Sequence, residues 1–287
     1  MNIQVKGHSG CSVEIIREND QLLILKSTYD KGYLNRLYEQ AKKQKQAAQE
    51  EYQHIRIPQI LDVTKNEELV SIKMEYVYSK NFIEYFESAG FEQISYFIKA
   101  LILFIEKEIR NCSVQIVKKD VLTKKYEDVK NKILSNHLLQ EDSIIHSILE
   151  KSSLIFENVQ DMKMPIGLCH GDLTFSNILF NGNNYYLIDF LDSFVESPLL
   201  DIVKIRQDSA YLWSQLLYIH SFDRIRLQLI SKHIDNAIDS YFQKYEWYRD
   251  YYKCFQLMNF LRILQYAKEK NIIDYLKKVS NIILYEL

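Results

Sequence analysis

The stretch His170-Gly171-Asp172-Leu173-Thr174-Phe175-Ser176-Asn177-Ile178-Leu179-Phe180-Asn181-Gly182-Asn183-Asn184-Tyr185-Tyr186-Leu187-Ile188-Asp189-Phe190 decides how the rest of this chain reads. Two apolar runs flank an Asn-Gly-containing loop, 181–184, which is a β-hairpin signal. Folded that way, Phe180 opposes Tyr185, Leu179 opposes Tyr186 and Ile178 opposes Leu187. Asn177 and Asp189 then meet at the open end of the ladder, about 5 Å apart across the strands. An amide oxygen beside a carboxylate makes a hard-oxygen site with few protein ligands, suited to Mg²⁺ shared with substrate phosphates. Asp172 lies five residues before Asn177, in the loop that enters the hairpin. A carboxylate there can take the proton of an attacking hydroxyl. His170 reads as a loop anchor rather than a base.

Working outward, the first 78 residues read as short strands around one helix. Expected strands are Ile3–Lys6, Ser12–Arg17 and Gln21–Lys26, the last two joined by the polar turn 18–20. Residues 34–51 are rich in Leu, Ala, Gln, Glu and Lys, a helix composition that Pro58 ends. Gln59–Val63 and Leu69–Met74 make a second strand pair. From Asn81 the texture changes to long amphipathic stretches at 81–110, 120–137, 142–160, 199–220, 223–246, 250–268 and 271–286. The aromatic cluster Tyr241–Tyr252 reads as helix packing.

Composition bounds the function classes. The chain has 287 residues, 36 Lys plus Arg against 38 Asp plus Glu, and a net charge of -2. That balance gives no electrostatic argument for nucleic acid. Only 7 Gly and 3 Pro leave little room for linkers. Four scattered cysteines, Cys11, Cys112, Cys169 and Cys254, lack metal or redox spacing and suit reduced thiols. With no secretion signal and no apolar run long enough to span a bilayer, a cytoplasmic protein is expected.

The 170–190 stretch resembles the catalytic loop and metal motif of the protein-kinase-like small-molecule phosphotransferases, the aminoglycoside phosphotransferase and choline kinase branch. Those families carry His-x-Asp-x-x-x-x-Asn followed by apolar-apolar-Asp, and both parts occur here in order. The resemblance implies an α+β, bilobal protein-kinase-like fold, with a small β-rich lobe over 1–78 and a larger helical lobe over 79–287. It implies ATP, with GTP left open, and Mg²⁺ as cofactors. It assigns Asp172 as catalytic residue, Asn177 and Asp189 as metal ligands, and His170 and Asp201 as supports of the loop. In the small lobe, Gly7 and Gly10 resemble the phosphate-covering loop, and Lys26 stands where the phosphate-pairing lysine belongs. Its partner is expected to be Glu39, with Glu50 and Glu51 as rivals. Met74-Glu75-Tyr76-Val77 resembles the adenine-binding hinge, which makes Glu75 and Val77 cofactor-binding positions.

The departures are informative too. Asp189-Phe190 is followed by Leu191-Asp192 instead of Gly, and Asp192 is a candidate for a second metal. Only residues 190–200 separate Asp189 from Asp201, too few for the peptide platform of a protein kinase. The implied activity is therefore transfer of the ATP γ-phosphoryl group to a hydroxyl of a small molecule: a sugar, a choline-like amino alcohol or an aminoglycoside. The 196–206 stretch most resembles bacterial enzymes that act on surface-polysaccharide building blocks. The alternative is a non-catalytic nucleotide-binding protein on the same fold. Oligomeric state is left open.

Overall fold

The computed structural model describes residues 3–6 and 11–287; the expected glycine-loop positions Gly7 and Gly10 lie outside them. The chain opens with β1 (Ile3–Lys6), β2 (Ser12–Glu18) and β3 (Gln21–Thr28), then α1 (Leu34–Ala47). After β4 (Ile55–Arg56) come β5 (Ile60–Lys65) and β6 (Val70–Glu75). These build an antiparallel five-stranded sheet in the order β1-β2-β3-β6-β5, against which α1 packs. Leu34, Leu37 and Ala41 of α1 meet Val70, Ile72 and Met74 of β6 in a small apolar core. Their i, i+3, i+7 spacing puts them on one helix face.

The larger core gathers Ala47, Ile55 and Ile57 with residues from Phe82 onward. Helices α2 (Phe82–Ser88) and α3 (Phe91–Asn111) lead to β7 (Ser113–Val117), α4 (Lys119–Leu134), α5 (Ser143–Asn158) and β8 (Met162–Ile166). The hairpin β9 (Ile178–Asn181) and β10 (Asn184–Leu187) follows, then α6 (Pro198–Ser209), α7 (Trp213–Leu216), α8 (Arg224–Phe242), α9 (Glu246–Leu264) and α10 (Lys270–Glu286). Asn81 starts this body firmly: its side chain accepts from the Glu84 amide while Glu84 reaches back to the Asn81 amide, each at 3.0 Å. The architecture is thus α+β, a small antiparallel sheet with one helix beside a mainly helical body.

Hairpin pairing follows the expected register, Phe180 with Tyr185, Leu179 with Tyr186 and Ile178 with Leu187. The turn is tighter than expected. Asn181 pairs with Asn184, leaving only Gly182 and Asn183 outside the ladder, and Gly182 takes the positive φ of 58° that this needs. Three strands escape the sequence pattern. Strand β4 pairs in parallel with β10, Tyr185 with Ile55 and Tyr186 with Arg56, so residues 47–57 leave the small lobe and join the larger core through Ala47, Ile55 and Ile57. Strands β7 and β8 pair with each other across two intervening helices. The expected helix 199–220 breaks at Leu212, whose φ is 59°. The aromatic cluster packs as expected: Phe242, Tyr248 and Tyr252 are buried, with Tyr248 and Tyr252 against Arg206. No helix of the described residues is long and apolar enough to cross a membrane.

Candidate active site

The loop before the hairpin is laced to the strand that leaves it. His170 accepts the Leu191 amide on its carbonyl at 2.9 Å, and Asn177 accepts the Ile188 amide at 3.1 Å. The His170 ring is fully buried. Its Nδ1 accepts the Asp172 amide at 3.2 Å, so Nε2 carries the hydrogen donated to the Ile188 carbonyl at 2.9 Å. Burial pushes its pKa down to about 4, which keeps the ring neutral. Gly171 has φ of 85°, and a Cβ there would stand 2.0 Å from the Leu191 carbonyl oxygen. The crossing admits only glycine.

Helix α6 braces this loop from below. Ser197 caps it and Pro198 occupies its first turn, which fixes where it starts. Asp201, fully buried, accepts the His170 amide at 2.5 Å and the Gly171 amide at 2.7 Å. Burial raises its pKa to about 6 against those two bonds. Beside it, burial and then the charge of Asp201 push the Glu108 carboxyl well above the ordinary carboxylate range. Asp208 accepts the Phe175 amide at 2.6 Å and the Ser214 amide at 2.9 Å. It thereby holds the 3₁₀ turn Phe175–Asn177 that separates Asp172 from the hairpin.

Asp172 itself meets two partners. Asn177 Nδ2 donates to its carboxylate at 2.9 Å and to its carbonyl at 2.8 Å. Lys204 Nζ lies 3.0 Å from its other carboxylate oxygen. Burial would raise the Asp172 pKa, but Lys204, helped by the Asn177 bond, outweighs it and holds the carboxyl below its ordinary range. Sequence reasoning missed both Lys204 and Asp208. A signal was present: 201, 204 and 208 fall at i, i+3 and i+7, one face of a helix, and Asp201 was already aimed at the loop.

From the small sheet, Lys26 of β3 is buried and donates to Asp189 Oδ1 at 2.7 Å. Asp189 has φ of 63°, a left-handed backbone uncommon outside glycine. Asn177 turns its NH₂ to Asp172 and so keeps its amide oxygen for another partner; Asp189 keeps its second carboxylate oxygen. Two hard oxygens beside a lysine fit a divalent cation completed by phosphate oxygens. Among the described residues no cluster of three or more His, Cys, Asp or Glu side chains could hold a metal alone. Asp192 is exposed and lines a separate cleft of about 400 Å³ with Glu39, Lys43 and Glu196, away from Asn177 and Asp189.

The expected partner of Lys26 requires correction. Glu39 lies two residues from Leu37, about 200° around the helix from the buried face. There it pairs with Lys42 at 2.8 Å on the exposed side. Glu50 pairs with Lys107 at 3.2 Å, and Glu51 is exposed. The charged residue that α1 buries is Lys43, which donates to the Leu191 carbonyl at 2.5 Å and to Glu196 at 2.6 Å. Glu75 ends β6, its amide donating to the Gln59 carbonyl at 2.9 Å, and Val77 lies in the extended segment that follows.

Residues 133–234, which include the 170–177 loop and its hairpin, match the model of the phosphotransferase enzyme family APH. The whole fold is similar to a thermostable mutant of aminoglycoside phosphotransferase APH(4)-Ia in its apo form, at 8% identity and a TM-score of 0.62 over 100% of this chain and 94% of that one. It is also similar to amicoumacin kinase hAmiN, at 11% identity and 0.62 over 99% and 88% of the two chains. Spectinomycin phosphotransferase APH(9)-Ia matches at 14% identity and 0.58 over 99% and 92%. A sequence comparison with curated proteins gives no match. The protein is therefore aminoglycoside phosphotransferase-like in fold, and its segment 133–234 matches the phosphotransferase enzyme family APH.

Proposed function

We propose that the protein transfers the γ-phosphoryl group of ATP to a hydroxyl group of a small molecule. The observation that carries this is the joint placement of Asp172 and Asn177: one side-chain amide ties the candidate base to the candidate metal ligand, while Lys26 holds the second ligand, Asp189. Support comes from proteins of similar fold: spectinomycin phosphotransferase APH(9)-Ia in complex with ADP and spectinomycin, and amicoumacin kinase hAmiN in complex with AMP-PNP, Ca²⁺ and Ami.

In this reading the Glu75–Val77 segment receives the adenine edge, and Lys26 meets the α- and β-phosphates as it leaves Asp189. Asn177 and Asp189 would hold Mg²⁺, which supplies charge neutralisation to the phosphates. Asp172 accepts the acceptor's hydroxyl proton as the hydroxyl oxygen bonds to the γ-phosphorus. The bond from that phosphorus to the β–γ bridging oxygen breaks, and ADP carries the electron pair away. Lys204 keeps Asp172 ionised for that task. His170, neutral and bonded at both ring nitrogens, positions the loop. Little covalent chemistry falls to the chain, since positioning and preset charges supply most of the barrier reduction.

The test is thermal stability with and without Mg-ATP or Mg-GTP, followed by a phosphate-transfer screen over sugars, amino alcohols and aminoglycosides. Stabilisation by Mg-ATP with transfer to at least one acceptor class is expected. Binding without transfer or hydrolysis would turn the reading to a nucleotide-binding protein that does no chemistry.

A further inference from the structure

Resting on the phosphotransferase reading, the backbone around Asp189 shows what keeps that carboxylate aimed. The peptides on either side of Asp189 and Phe190 are each tied at two points. Ile188 gives its amide to the Asn177 carbonyl at 3.1 Å and takes the His170 Nε2 hydrogen on its own carbonyl at 2.9 Å. Leu191 gives its amide to the His170 carbonyl at 2.9 Å, and its carbonyl accepts from Lys43 Nζ at 2.5 Å. Between them Phe190 is buried, its ring 4.3 Å from that of His170. Three of these four bonds come from the 170–177 loop, whose Leu173 and Phe175 belong to the larger core. The fourth comes from α1, which packs on the small sheet.

Lys43 is itself fixed. Glu196 Oε2 accepts from it at 2.6 Å, while the other Glu196 oxygen accepts the Ser193 amide at 2.7 Å. The small sheet also reaches Asp189 through Lys26, which meets its side chain. In the proposed reaction Lys26 turns to the phosphates. Lys43 is then the one hydrogen bond, among the described residues, from the small sheet and its helix to residues 188–191. Hydrogen bonds that orient a ligating carboxylate tune how tightly the metal is held. We propose that Lys43 is a positioning residue for Asp189: by holding the Leu191 carbonyl it fixes the backbone that aims the carboxylate, and so sets how tightly Mg²⁺ is held with the nucleotide. It touches neither the metal nor the phosphates, and acts through Asp189.

The experiment titrates Mg²⁺ into the whole chain with AMP-PNP at fixed concentration and reads nucleotide binding by calorimetry, so that no turnover enters. Lys43→Met should need on the order of 10- to 100-fold more Mg²⁺ at the midpoint than the parent. Its binding of AMP-PNP without the metal should match the parent's. Lys43→Arg, which keeps a charged donor, should recover part of the loss. Glu196→Gln still accepts the Ser193 amide and leaves Lys43 its carbonyl, so its midpoint should stay near the parent's. Should Lys43→Met not fold, Lys43→Gln takes its place with the same expectation. An unchanged midpoint in the folded variant overturns the proposal. Equal weakening with and without the metal, or an equal shift in Glu196→Gln, overturns it too, since each marks a general loosening of the fold. In those cases Mg²⁺-dependent binding by the parent leaves the phosphotransferase reading standing. A parent that binds no AMP-PNP with Mg²⁺ overturns that reading, and the positioning role with it.

Discussion

Lys43 on the helix of the small lobe donates to Glu196, 153 residues further along the chain, at 2.6 Å. The same ammonium donates to the Leu191 carbonyl, two residues past Asp189. Burial alone would lower its pKa, but nearby Cys169, Glu196 and Asp201 outweigh that and raise it, so the lysine stays charged. The helix is therefore fastened to the segment after Asp189 by a charge pair with one deeply buried member.

Breaking that pair from the buried side should cost stability. Lys43→Met removes both bonds and leaves Glu196 facing the Cys169 thiol, which lies 3.4 Å from it. Loss of a fully buried partner costs about 3–5 kcal/mol. Because Glu196 keeps partial access to water, about 1–3 kcal/mol is expected. Urea unfolding of Lys43→Met, Glu196→Gln and the double variant measures it. If the two losses simply add, the residues are uncoupled and the fastening is fiction.

Asp172→Asn should bind Mg-ATP like the parent yet lose on the order of 10²–10⁴ in turnover, because only the proton acceptor is removed. Asp189→Asn should weaken Mg²⁺-dependent nucleotide binding as well. Lys204→Met adds a pH signature. Lys204 is the main influence holding the Asp172 carboxyl down against burial. Its removal should move the acid limb of kcat/KM upward in pH. An unmoved limb in a folded variant would show that Asp172 is not the group titrating.

The hairpin was readable because its strands, turn and register are all local: an Asn-Gly loop between two apolar runs fixes which residues face one another. Asp172, Asn177 and Asp189 came with it. Asp201 came from the resemblance of the 196–201 segment to the small-molecule phosphotransferases. What sequence reasoning missed depends on distant chain or on helix phase. Strand β4 is two residues long, too short for any period, and exists only because β10 is there to pair with. Lys204 and Asp208 lie on a helix whose phase is set by Asp201 yet was not followed onward. Glu39 failed as the partner of Lys26 for the same reason, since its position relative to Leu37 already turned it outward.

Gly171→Ala should be severely destabilising. A side chain at φ of 85° is strained, and the new carbon would meet the Leu191 carbonyl at 2.0 Å, so backbone must move. A loss of at least about 2 kcal/mol is expected from strain of this kind. Gly182→Ala is the contrast: its φ of 58° brings strain, but nothing lies within 4 Å of an added carbon. Comparing the two by thermal unfolding separates backbone strain from collision. Equal losses would mean that the crossing at Leu191 is looser than it looks.

Stability below neutral pH should carry the mark of His170. Its folded pKa, about 4, lies below the ordinary 6.5, because the charged ring is disfavoured in a fully buried site. On acidification the unfolded chain therefore takes the proton first. The contribution of His170 is complete above about pH 6.5 and drains away as pH falls through 4. Asp201 and Asp208 work in the opposite direction: burial raises each to about 6 from 3.8, so their contribution is full below 3.8 and is lost as pH rises through 6. Between pH 4 and 6 the groups oppose one another, and removing the histidine should unmask the two carboxyls. His170→Gln keeps a donor for the Ile188 carbonyl and does not titrate. Relative to the parent it should gain up to about 3 kcal/mol between pH 6.5 and 4, read as a crossing of the two stability–pH curves in urea. Parallel curves would mean that the buried ring takes up its proton in the fold as readily as in the open chain.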